Sequence, residues 1–304
     1  MINKKVLITG CGGMLGYSLL PIIKANFNYL LATDIKPNKG NLEKLDVRDV
    51  DECERVMASF APDIIIHLAA LTDLEYCEKN PKDAYLTNST GTKNMATLTE
   101  NIGSTFVYIS TAGVFDGNKE SYDDFDKPNP INVYGSSKYE GEMLVQRSVS
   151  NYFIFRAGWM MGSGPKKDKK FINKIYKQIK KGQSEIFVVD DKIGSPTYTV
   201  DFSKSMVRVI NSGHFGLYNQ VCEGSCTRFD VADAFIRFLE LQDQIKVKKV
   251  KSNYFKREYF APRPKSENLI NFKLSNLKMN TMRNWIDCLM EYSEIFKNDL
   301  NEKI

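Results

Sequence analysis

The sequence contains few of the residues that bind metals or form disulfides. Only two of its 304 residues are histidines, and its six cysteines are scattered along the chain with no CxxC pair. Such a pattern is unlike that of a zinc site or of a secreted domain held together by disulfide bonds. We therefore expect no metal site, and the cysteine usage favours a reducing cytoplasm.

Long apolar segments are also absent. The apolar run VLIT, which begins at Val6, ends at a glycine far short of the length of a membrane span, and no small-residue cleavage site follows it. Hydrophobic residues make up 42% of the chain and charged residues 26%, as in ordinary globular proteins. The sequence thus predicts a globular fold with neither a signal peptide nor a membrane partner.

Positive charge is concentrated in one stretch. The formal net charge is only +5, but residues 166–181 hold eight lysines and a single acid, Asp168. An apolar stripe within the stretch indicates an amphipathic helix whose lysines face solvent. Its members are Phe171, Ile172, Ile175 and Ile179. Since no aromatic platform or nucleic-acid-binding motif accompanies the lysines, a phosphorylated small molecule is a better candidate partner than nucleic acid.

The first half of the chain alternates between apolar strand-like runs and helical patterns. Because these runs are apolar throughout, we expect helices to cover both faces of their sheet. This predicts an α/β fold with a doubly wound parallel (Rossmann) sheet. The predicted strands are KKVLIT, YLLAT, DIIIHLA, TFVYIS and YFIFR, and the predicted helices cover residues 14–25, 51–60, 81–101 and 133–149.

After Arg156 the alternation becomes irregular. We predict helices over the lysine-rich stretch and over residues 200–210, 229–239 and 282–296, strands at EIFVVD, GLYNQV and IKVKKVK, and a loop at DDKIGSPT. The simplest organisation is an NAD(P)-binding Rossmann domain formed by residues 1–160 and roughly 195–220, with a smaller C-terminal α/β substrate-binding domain formed by residues 161–194 and 221–304.

A glycine-rich loop lies between the first strand and the first helix. The sequence TGCGGMLG places Gly10, Gly13 and Gly16 in a GxxGxxG arrangement. After a strand and before a helix, such glycines let the backbone approach a pyrophosphate, which then faces the amides and the dipole of the helix N-terminus. A simple tight turn would not require three glycines, so the loop predicts a dinucleotide-binding site.

Two aspartates follow the next strands. Asp34 ends the second strand, where a carboxylate can accept hydrogen bonds from the adenosine ribose hydroxyls and disfavours a 2′-phosphate. This favours NAD(H), with NADP(H) as the alternative because Lys36 stands nearby. Asp46, in the segment LDVRD, is a weaker candidate for a contact with the adenine edge.

A hydroxyl residue, a tyrosine and a lysine fall where a bound cofactor would lie. Thr111 follows the strand TFVYIS at the carboxyl edge of the predicted sheet, and Tyr134 and Lys138 share one face of a helix. We predict that Thr111 holds a carbonyl oxygen and that Tyr134 donates a proton to it. Lys138 is expected to lower the pKa of Tyr134 and to bind the nicotinamide ribose. Taken alone, the tyrosine and lysine also fit an ordinary half-buried helix face.

The sequence resembles the extended short-chain dehydrogenase/reductases. The resemblance lies in TGCGGMLG, in HLAA at residues 67–70, in STAGVFDG at residues 110–117 and in VYGSSKYEGE at residues 133–142. Within that superfamily the chain is most similar to the dTDP-4-dehydrorhamnose reductases, through KPNPINVYGSSKYEGE, FVVDDKIGSPTYTVD and APRPKSENLI. The resemblance implies a reductase of the keto group of a nucleotide-linked deoxysugar, with Thr111, Tyr134 and Lys138 as catalytic residues.

The resemblance also implies which residues line the ligands. The HLAA turn lines the cofactor in relatives, so we expect His67 to be packed or cofactor-lining rather than a catalytic base. The expected cofactor contacts are Gly10, Gly12, Gly13, Met14, Leu15, Gly16, Asp34, Asp46, Val47, Leu68, Ala69, Ala70 and Lys138. The expected substrate contacts are Ala112, Val114, Phe115, Trp159 and Lys192. The expected partner is a nucleotide-diphosphate sugar, and a homodimer is compatible with the sequence.

Three departures from the family pattern fall near the expected substrate pocket. The aspartate and the aromatic residue that usually follow the threonine are Ala112 and Gly113 here. The family's RTSW becomes RAGW at residues 156–159, and the glutamine common before xGSPT becomes Lys192. Because polar groups in a pocket discriminate strongly between substrates, we expect the reductase chemistry to transfer to this chain but not the identity of the sugar.

Two other functions remain open. An NAD-dependent epimerase of the same superfamily is the close alternative, whereas a 4,6-dehydratase would carry an Asp-Glu pair directly after Thr111 and is disfavoured by Ala112 and Gly113. Some relatives act as non-catalytic nucleotide-binding regulatory subunits. The presence of Thr111, Tyr134 and Lys138 counts against that role.

Overall fold

The structure of the protein is a computed structural model that describes residues 2–37 and 42–301. Apolar runs form its strands, and capped amphipathic segments form its helices. In chain order, the strands of the described residues are β1 (Ile2–Thr9), β2 (Phe27–Asp34), β3 (Glu43–Lys44), β4 (Ile64–His67), β5 (Thr105–Thr111), β6 (Tyr152–Ala157), β7 (Trp159–Met161), β8 (Glu185–Val189), β9 (Ile193–Gly194), β10 (Pro196–Tyr198), β11 (Gly216–Asn219), β12 (Cys226–Thr227), β13 (Lys246–Val250) and β14 (Ser266–Glu267).

Helices connect most of these strands. Short turns of 3₁₀-helix follow β5 at Ala112–Val114 and β13 at Ser252–Phe255. The α-helices of the described residues are α1 (Met14–Asn26), α2 (Val50–Phe60), α3 (Leu74–Lys79), α4 (Pro81–Tyr85), α5 (Gly91–Asn101), α6 (Val133–Ser148), α7 (Gly164–Lys167), α8 (Phe171–Lys180), α9 (Thr199–Ser212), α10 (Arg228–Phe238), α11 (Phe272–Asn276) and α12 (Trp285–Asn301).

A parallel sheet forms the centre of the fold, as the sequence predicts. In the described part of the chain it has seven strands, in the order β11-β6-β5-β4-β1-β2-β3. The apolar centres of β1 and β4 are fully enclosed because helices cover both faces. The direction of winding reverses between β1 and β4, and ligands of such sheets bind in the crevice outside the carboxyl ends of the strands at that point.

Side-chain caps fix where several helices begin. The Asp49 carboxylate accepts a hydrogen bond from the Glu52 amide at the start of α2. Thr227 and Asp230 form a reciprocal capping box at the start of α10. The Asn132 side chain accepts a hydrogen bond from the Gly135 amide, 2.7 Å away, at the start of α6. Such caps satisfy amides that would otherwise lack partners, so α6 has a defined first turn.

Two predicted helices are interrupted. The helix expected over residues 81–101 contains a π-helical turn at Leu86–Thr90, and the buried Asn88 lies in this turn. The lysine-rich helix is divided into α7 and α8 at Asp168, whose carboxylate accepts hydrogen bonds from the Lys170 amide and from the Tyr292 hydroxyl. In both places the helix is interrupted at a buried polar residue, which the pattern of hydrophobic residues does not reveal.

The second half of the chain builds smaller sheets around the carboxyl edge of the central sheet. The loop predicted at DDKIGSPT instead contains β9 and β10, which pair with β12, β14 and β7. The basic strand β13 pairs in parallel with β8. Strand β11 joins the edge of the central sheet beside β6. The division into two domains at the stated residues stays a prediction.

All six cysteines are buried free thiols. Among the described residues, no helix is long and apolar enough to cross a membrane. Nor does that part of the chain bring together three or more histidine, cysteine, aspartate or glutamate side chains that could hold a metal ion.

Two glycines bring α6 into close contact with β5. An added Cβ at Gly135 would overlap the carbonyl oxygen of Gly113, and one at Gly141 would overlap the hydroxyl of the fully buried Tyr108. The Tyr108 hydroxyl also donates a hydrogen bond to the Lys138 carbonyl, 3.1 Å away. The helix therefore lies on the strand at a distance that only glycine permits.

We expect Gly141→Ala to lower the free energy of unfolding by about 1–3 kcal/mol, because the added methyl overpacks a fully buried site and this outweighs the gain in helix propensity of about 1 kcal/mol. Urea unfolding monitored by circular dichroism measures the change. Ser136→Ala, on the same helix, is the control and should change the stability by less than about 0.5 kcal/mol. Equal stability of Gly141→Ala and the wild type would contradict the close contact.

Candidate active site

The glycine loop lies against the end of β4. Gly10 has a φ of +70°, and a Cβ there would lie 2.6 Å from the Ala69 amide nitrogen. A Cβ at Gly16 would overlap the backbone of Cys11. By contrast, Gly13 has ordinary extended geometry as the N-cap of α1. Packing therefore requires glycine at positions 10 and 16. No side chain caps the start of α1, so the amides of its first turn, which begins at Met14, suit an anion.

Asp34 is in direct contact with this loop. Its carboxylate accepts hydrogen bonds from the amides of Gly12 and Lys36, each at 2.9 Å, and a Cβ at Gly12 would lie 2.9 Å from it. The two amides fix the carboxylate at the end of β2 while leaving further lone pairs for hydroxyl donors. Binding of the adenosine ribose by Asp34 stays a prediction.

Other expected cofactor residues are engaged within the protein. Both carboxylate oxygens of Asp46 bind the Arg48 guanidinium at 2.6–3.1 Å, which lowers the pKa of Asp46. The side chains of Leu15 and Val47 are buried in the core. A contact of Asp46 with adenine stays a prediction, and Leu15 and Val47 have only backbone atoms to offer a ligand.

The HLAA turn continues β4 beside the glycine loop. His67 is buried and hydrogen-bonds Thr9 at 2.9 Å and Thr92 at 3.2 Å, and burial lowers its pKa to about 3. It is therefore neutral and packed, as the sequence predicts, and both of its ring nitrogens are hydrogen-bonded inside the protein. The next residues, Leu68, Ala69 and Ala70, are half-buried along the crevice.

Thr111 and Tyr134 meet at the carboxyl end of β5. The Thr111 hydroxyl accepts a hydrogen bond from the Gly113 amide at 3.1 Å, and Gly135 packs on the Gly113 carbonyl. The turn after β5 and the first turn of α6 are therefore held together. Burial raises the pKa of Tyr134 to about 12, while a hydrogen bond with the Thr111 hydroxyl acts in the opposite direction. At neutral pH the phenol is protonated and can donate.

Lys138 is buried one turn further along α6. Its ammonium lies 4.0 Å from the centre of the Tyr108 ring, and burial lowers its pKa to about 7 against the opposing charge of Glu142. Burial has the largest effect on the phenol and raises its pKa, so the expected lowering of the Tyr134 pKa by Lys138 stays a prediction.

A buried ion pair stands behind these residues. The Arg156 guanidinium donates to both oxygens of Glu142, at 2.9 and 2.7 Å, and both side chains are almost fully enclosed. Glu142 follows Lys138 by one helical turn, so its carboxylate supports the charged form of the lysine. The Arg156 guanidinium also lies 5.1 Å from the Phe115 ring centre. The pair joins β6 to α6 and fixes the back of the site.

The expected substrate residues divide into two groups. Protein fully encloses the first group, which consists of Ala112, Val114 and Phe115. For these residues, a contact between the substrate and their backbone atoms stays a prediction. Trp159 and Lys192 lie on the other side of the site. The Trp159 indole N–H donates to the Glu267 carboxylate at 2.7 Å, and the Lys192 ammonium donates to the Arg263 carbonyl at 2.9 Å.

Sequence reasoning did not identify several residues of this site. They are Asn88, Glu142, Arg156, Arg228 and Glu267. Asn88 hydrogen-bonds the backbone of Leu71 and the Ser137 hydroxyl at 2.8–3.0 Å, joining the segment after β4 to α6. The spacing of Glu142 from Lys138 is a signal that could have revealed the ion pair. No local signal marks Asn88 or Arg228, whereas Glu267 lies within the segment APRPKSENLI that carries the family resemblance.

A doubly wound sheet, a glycine loop at its switch point, and a threonine, a tyrosine and a lysine at the adjacent strand end occur together here. This combination defines an extended short-chain dehydrogenase/reductase fold. The profile of the family described as RmlD substrate binding domain matches residues 4–297. The chain belongs to this family.

Known proteins agree with this assignment. The spore coat polysaccharide biosynthesis protein SpsK of Bacillus subtilis is 31% identical over 79% of this chain and 81% of its own. The crystal structure of a dTDP-4-dehydrorhamnose reductase from Clostridium acetobutylicum is 32% identical, covers 98% of this chain and 99% of its own, and superposes with a TM-score of 0.87. That of the Bacillus anthracis dTDP-4-dehydrorhamnose reductase in complex with NADP is 32% identical, with coverage of 96% and 99% and a TM-score of 0.86.

The lowered pKa of Lys138 leads to a stability prediction. Its pKa falls from the ordinary 10.5 to about 7 through burial, so unfolding takes up a proton between those pH values and stability rises with pH across that window. The cost of the buried ammonium is fully present below about pH 7. We expect Lys138→Met to stabilise the protein by about a few kcal/mol at pH 6 and by much less at pH 10.

Urea unfolding of the wild type and of Lys138→Met at the two pH values measures this difference. Lys93→Met, a substitution at an exposed lysine of α5, is the control and should show no such pH dependence. A stability gain for Lys138→Met that is equal at pH 6 and pH 10 would contradict the burial of a titrating ammonium.

Proposed function

We propose that this protein reduces the keto group of a nucleotide-linked 4-keto-6-deoxysugar with NADH or NADPH. The observation that carries the proposal is the meeting of Thr111 and Tyr134 at the strand end beside the glycine-loop crevice, with Lys138 buried one turn away. Membership of the RmlD substrate binding domain family supports it. Relatives named as dTDP-4-dehydrorhamnose reductases support the same substrate class.

The glycine loop suits a dinucleotide. A side chain at Gly10 would collide with the Ala69 backbone and one at Gly12 with the Asp34 carboxylate, so glycine keeps the loop close to both. The uncapped first turn of α1 would take the pyrophosphate, and Asp34 would take the adenosine ribose. When bound, the reduced nicotinamide supplies the hydride that the reaction consumes.

The residues of the chain supply the proton and the orientation. Thr111 would hold the substrate carbonyl oxygen within reach of the Tyr134 phenol, which carries its proton at neutral pH because its pKa is raised to about 12. Negative charge that develops on the oxygen draws that proton from Tyr134. Lys138, with a pKa of about 7, can hold or release a proton in the same enclosed space and would bind the nicotinamide ribose.

Cationic side chains lie close to Trp159. The Arg228 guanidinium lies 3.7 Å from the centre of the Trp159 ring, and no hydrogen bond engages it among the described residues. Lys170 and Lys192 lie on neighbouring segments and hydrogen-bond Thr72 and the Arg263 carbonyl. Guanidinium and ammonium groups suit a diphosphate, which supports a nucleotide-linked sugar as the substrate.

We expect Tyr134→Phe to lower kcat by at least about 100-fold, because it removes the proton donor, while leaving cofactor affinity nearly unchanged. Oxidation of NADH or NADPH, followed by absorbance with a panel of nucleotide 4-keto-6-deoxysugars, measures kcat. Tryptophan fluorescence titration measures cofactor binding. Tyr139→Phe on the same helix is the control and should keep its activity. A fully active Tyr134→Phe variant would refute the role of the phenol.

The epimerase alternative predicts a different result in the same experiment. An epimerase retains its NAD and returns the hydride, so the purified protein would carry tightly bound cofactor and would not consume added NADH. Net consumption of reduced nicotinamide with a keto-sugar nucleotide supports the reductase.

The buried free thiols support a cytoplasmic location, and a homodimer remains compatible with the sequence.

Asp34 should set the preference between the two cofactors. Its carboxylate stands at the ribose position and repels a 2′-phosphate, so we expect Asp34→Asn to raise the ratio of kcat/KM for NADPH to that for NADH by about tenfold or more. Steady-state kinetics with both cofactors measures the ratio. Asp51→Asn, an exposed substitution in the first turn of α2, should leave it unchanged. An unaltered ratio in Asp34→Asn would place the adenosine ribose elsewhere.

A further inference from the structure

Glu267 lies beside the catalytic hydroxyls although it belongs to a distant part of the sequence. Strand β14 carries it and pairs with β9, with Glu267 opposite Gly194. Gly194 is packed so tightly against the Trp159 ring that a Cβ would overlap the indole. One carboxylate oxygen of Glu267, Oε2, accepts the hydrogen bond from the Trp159 indole at 2.7 Å. The backbone and one oxygen of Glu267 are thus fixed.

The other oxygen of Glu267 faces the catalytic threonine across Gly113. A methyl group placed at Gly113 would lie 3.4 Å from the Thr111 hydroxyl oxygen and 3.7 Å from Glu267 Oε1. The two oxygens therefore border the same small space. Because residue 113 is glycine, it places no side chain between these two oxygens.

The outer oxygen of Glu267 has no hydrogen-bond donor in the part of the chain that the structure describes. Among the described residues, Oε1 receives no hydrogen bond, and the nearby Arg228 interacts with the carboxylate through space while stacking on Trp159. An ionised carboxylate can only accept hydrogen bonds, and the side chain is only partly exposed to water. A donor carried by the ligand would satisfy it.

We propose that Glu267 is a specificity-determining residue that accepts a hydrogen bond from a hydroxyl or amino group on the sugar carbon next to the keto carbon. The proposal rests on the proposed function, because it takes the keto oxygen to be held by Thr111. Since Glu267 Oε1 and the Thr111 hydroxyl border one methyl-sized space, a group on the adjacent ring carbon can reach the carboxylate. The substrate class is therefore a nucleotide-linked keto-sugar that carries a donor at that carbon, and the deoxy analogue is rejected.

The test compares wild type and Glu267→Gln on nucleotide keto-sugars that differ only at the carbon next to the keto group, which carries a hydroxyl, an amino group or hydrogen alone. Glutamine keeps a carbonyl oxygen for the Trp159 indole, so the fold is preserved, and thermal unfolding checks this. Glu258→Gln, an exposed substitution on the segment before β14, is the matched control and should behave as wild type.

We expect the wild type to prefer the donor-bearing sugars. Glu267→Gln should lower kcat/KM for them by about 10- to 100-fold, with the larger loss for the amino sugar because the negative charge is gone, and should leave the deoxy sugar unchanged. Turnover of these sugars by the wild type upholds the reductase function. An equal loss of kcat/KM on all three sugars in Glu267→Gln, or no loss, would then overturn the proposal for Glu267. A wild type inactive on every keto-sugar with both nicotinamides would overturn the proposed function and this proposal together.

Discussion

The close contact between the first turn of α6 and the turn after β5 is the constraint on which the site depends. Gly135 has no side chain because the Gly113 carbonyl occupies that space, and Gly141 has none because Tyr108 does. The helix therefore lies against the strand, and Tyr134 reaches Thr111. The Asn132 cap and the hydrogen bonds of Asn88 to the segment after β4 hold α6 from two further directions. Close contacts at glycines, which do not depend on flexible side chains, therefore fix the position of Tyr134 relative to Thr111.

Burial of α6 against the sheet also sets the protonation of the site. The same packing removes Tyr134 and Lys138 from water, raising the pKa of the phenol and lowering that of the ammonium. Both shifts favour the neutral forms, which are a protonated phenol at Tyr134 and, above about pH 7, an unprotonated amine at Lys138. The buried pair of Glu142 and Arg156 limits this effect at Lys138, because its carboxylate is one helical turn away.

The sequence was sufficient to predict the parallel sheet and the glycine loop, and it singled out Thr111 and Tyr134, which lie together in the structure, as candidate catalytic residues. Apolar runs and glycine spacing are local signals, and Tyr134 and Lys138 share a helix face whose geometry is fixed. The direction of the pKa shift of Tyr134 could not be predicted, because it depends on how deeply tertiary packing buries the phenol. The π-helical turn at Asn88 and the break at Asp168 were missed for a related reason, since each follows from hydrogen bonds to distant segments.

Glu267 illustrates why the sequence predicts the residues of the reaction more readily than the residues that select the sugar. The proposed catalytic groups lie on β5 of the central sheet and on α6, which packs against it. The groups that face them, Trp159, Arg228 and Glu267, come from short strands and a helix start of the second half, where the strands pair over only two or three residues. A carboxylate can enter the site there without disturbing the sheet, because a glycine at position 113 leaves the space. Substitutions in the second half can therefore change the sugar that is recognised while the proton donor stays in place.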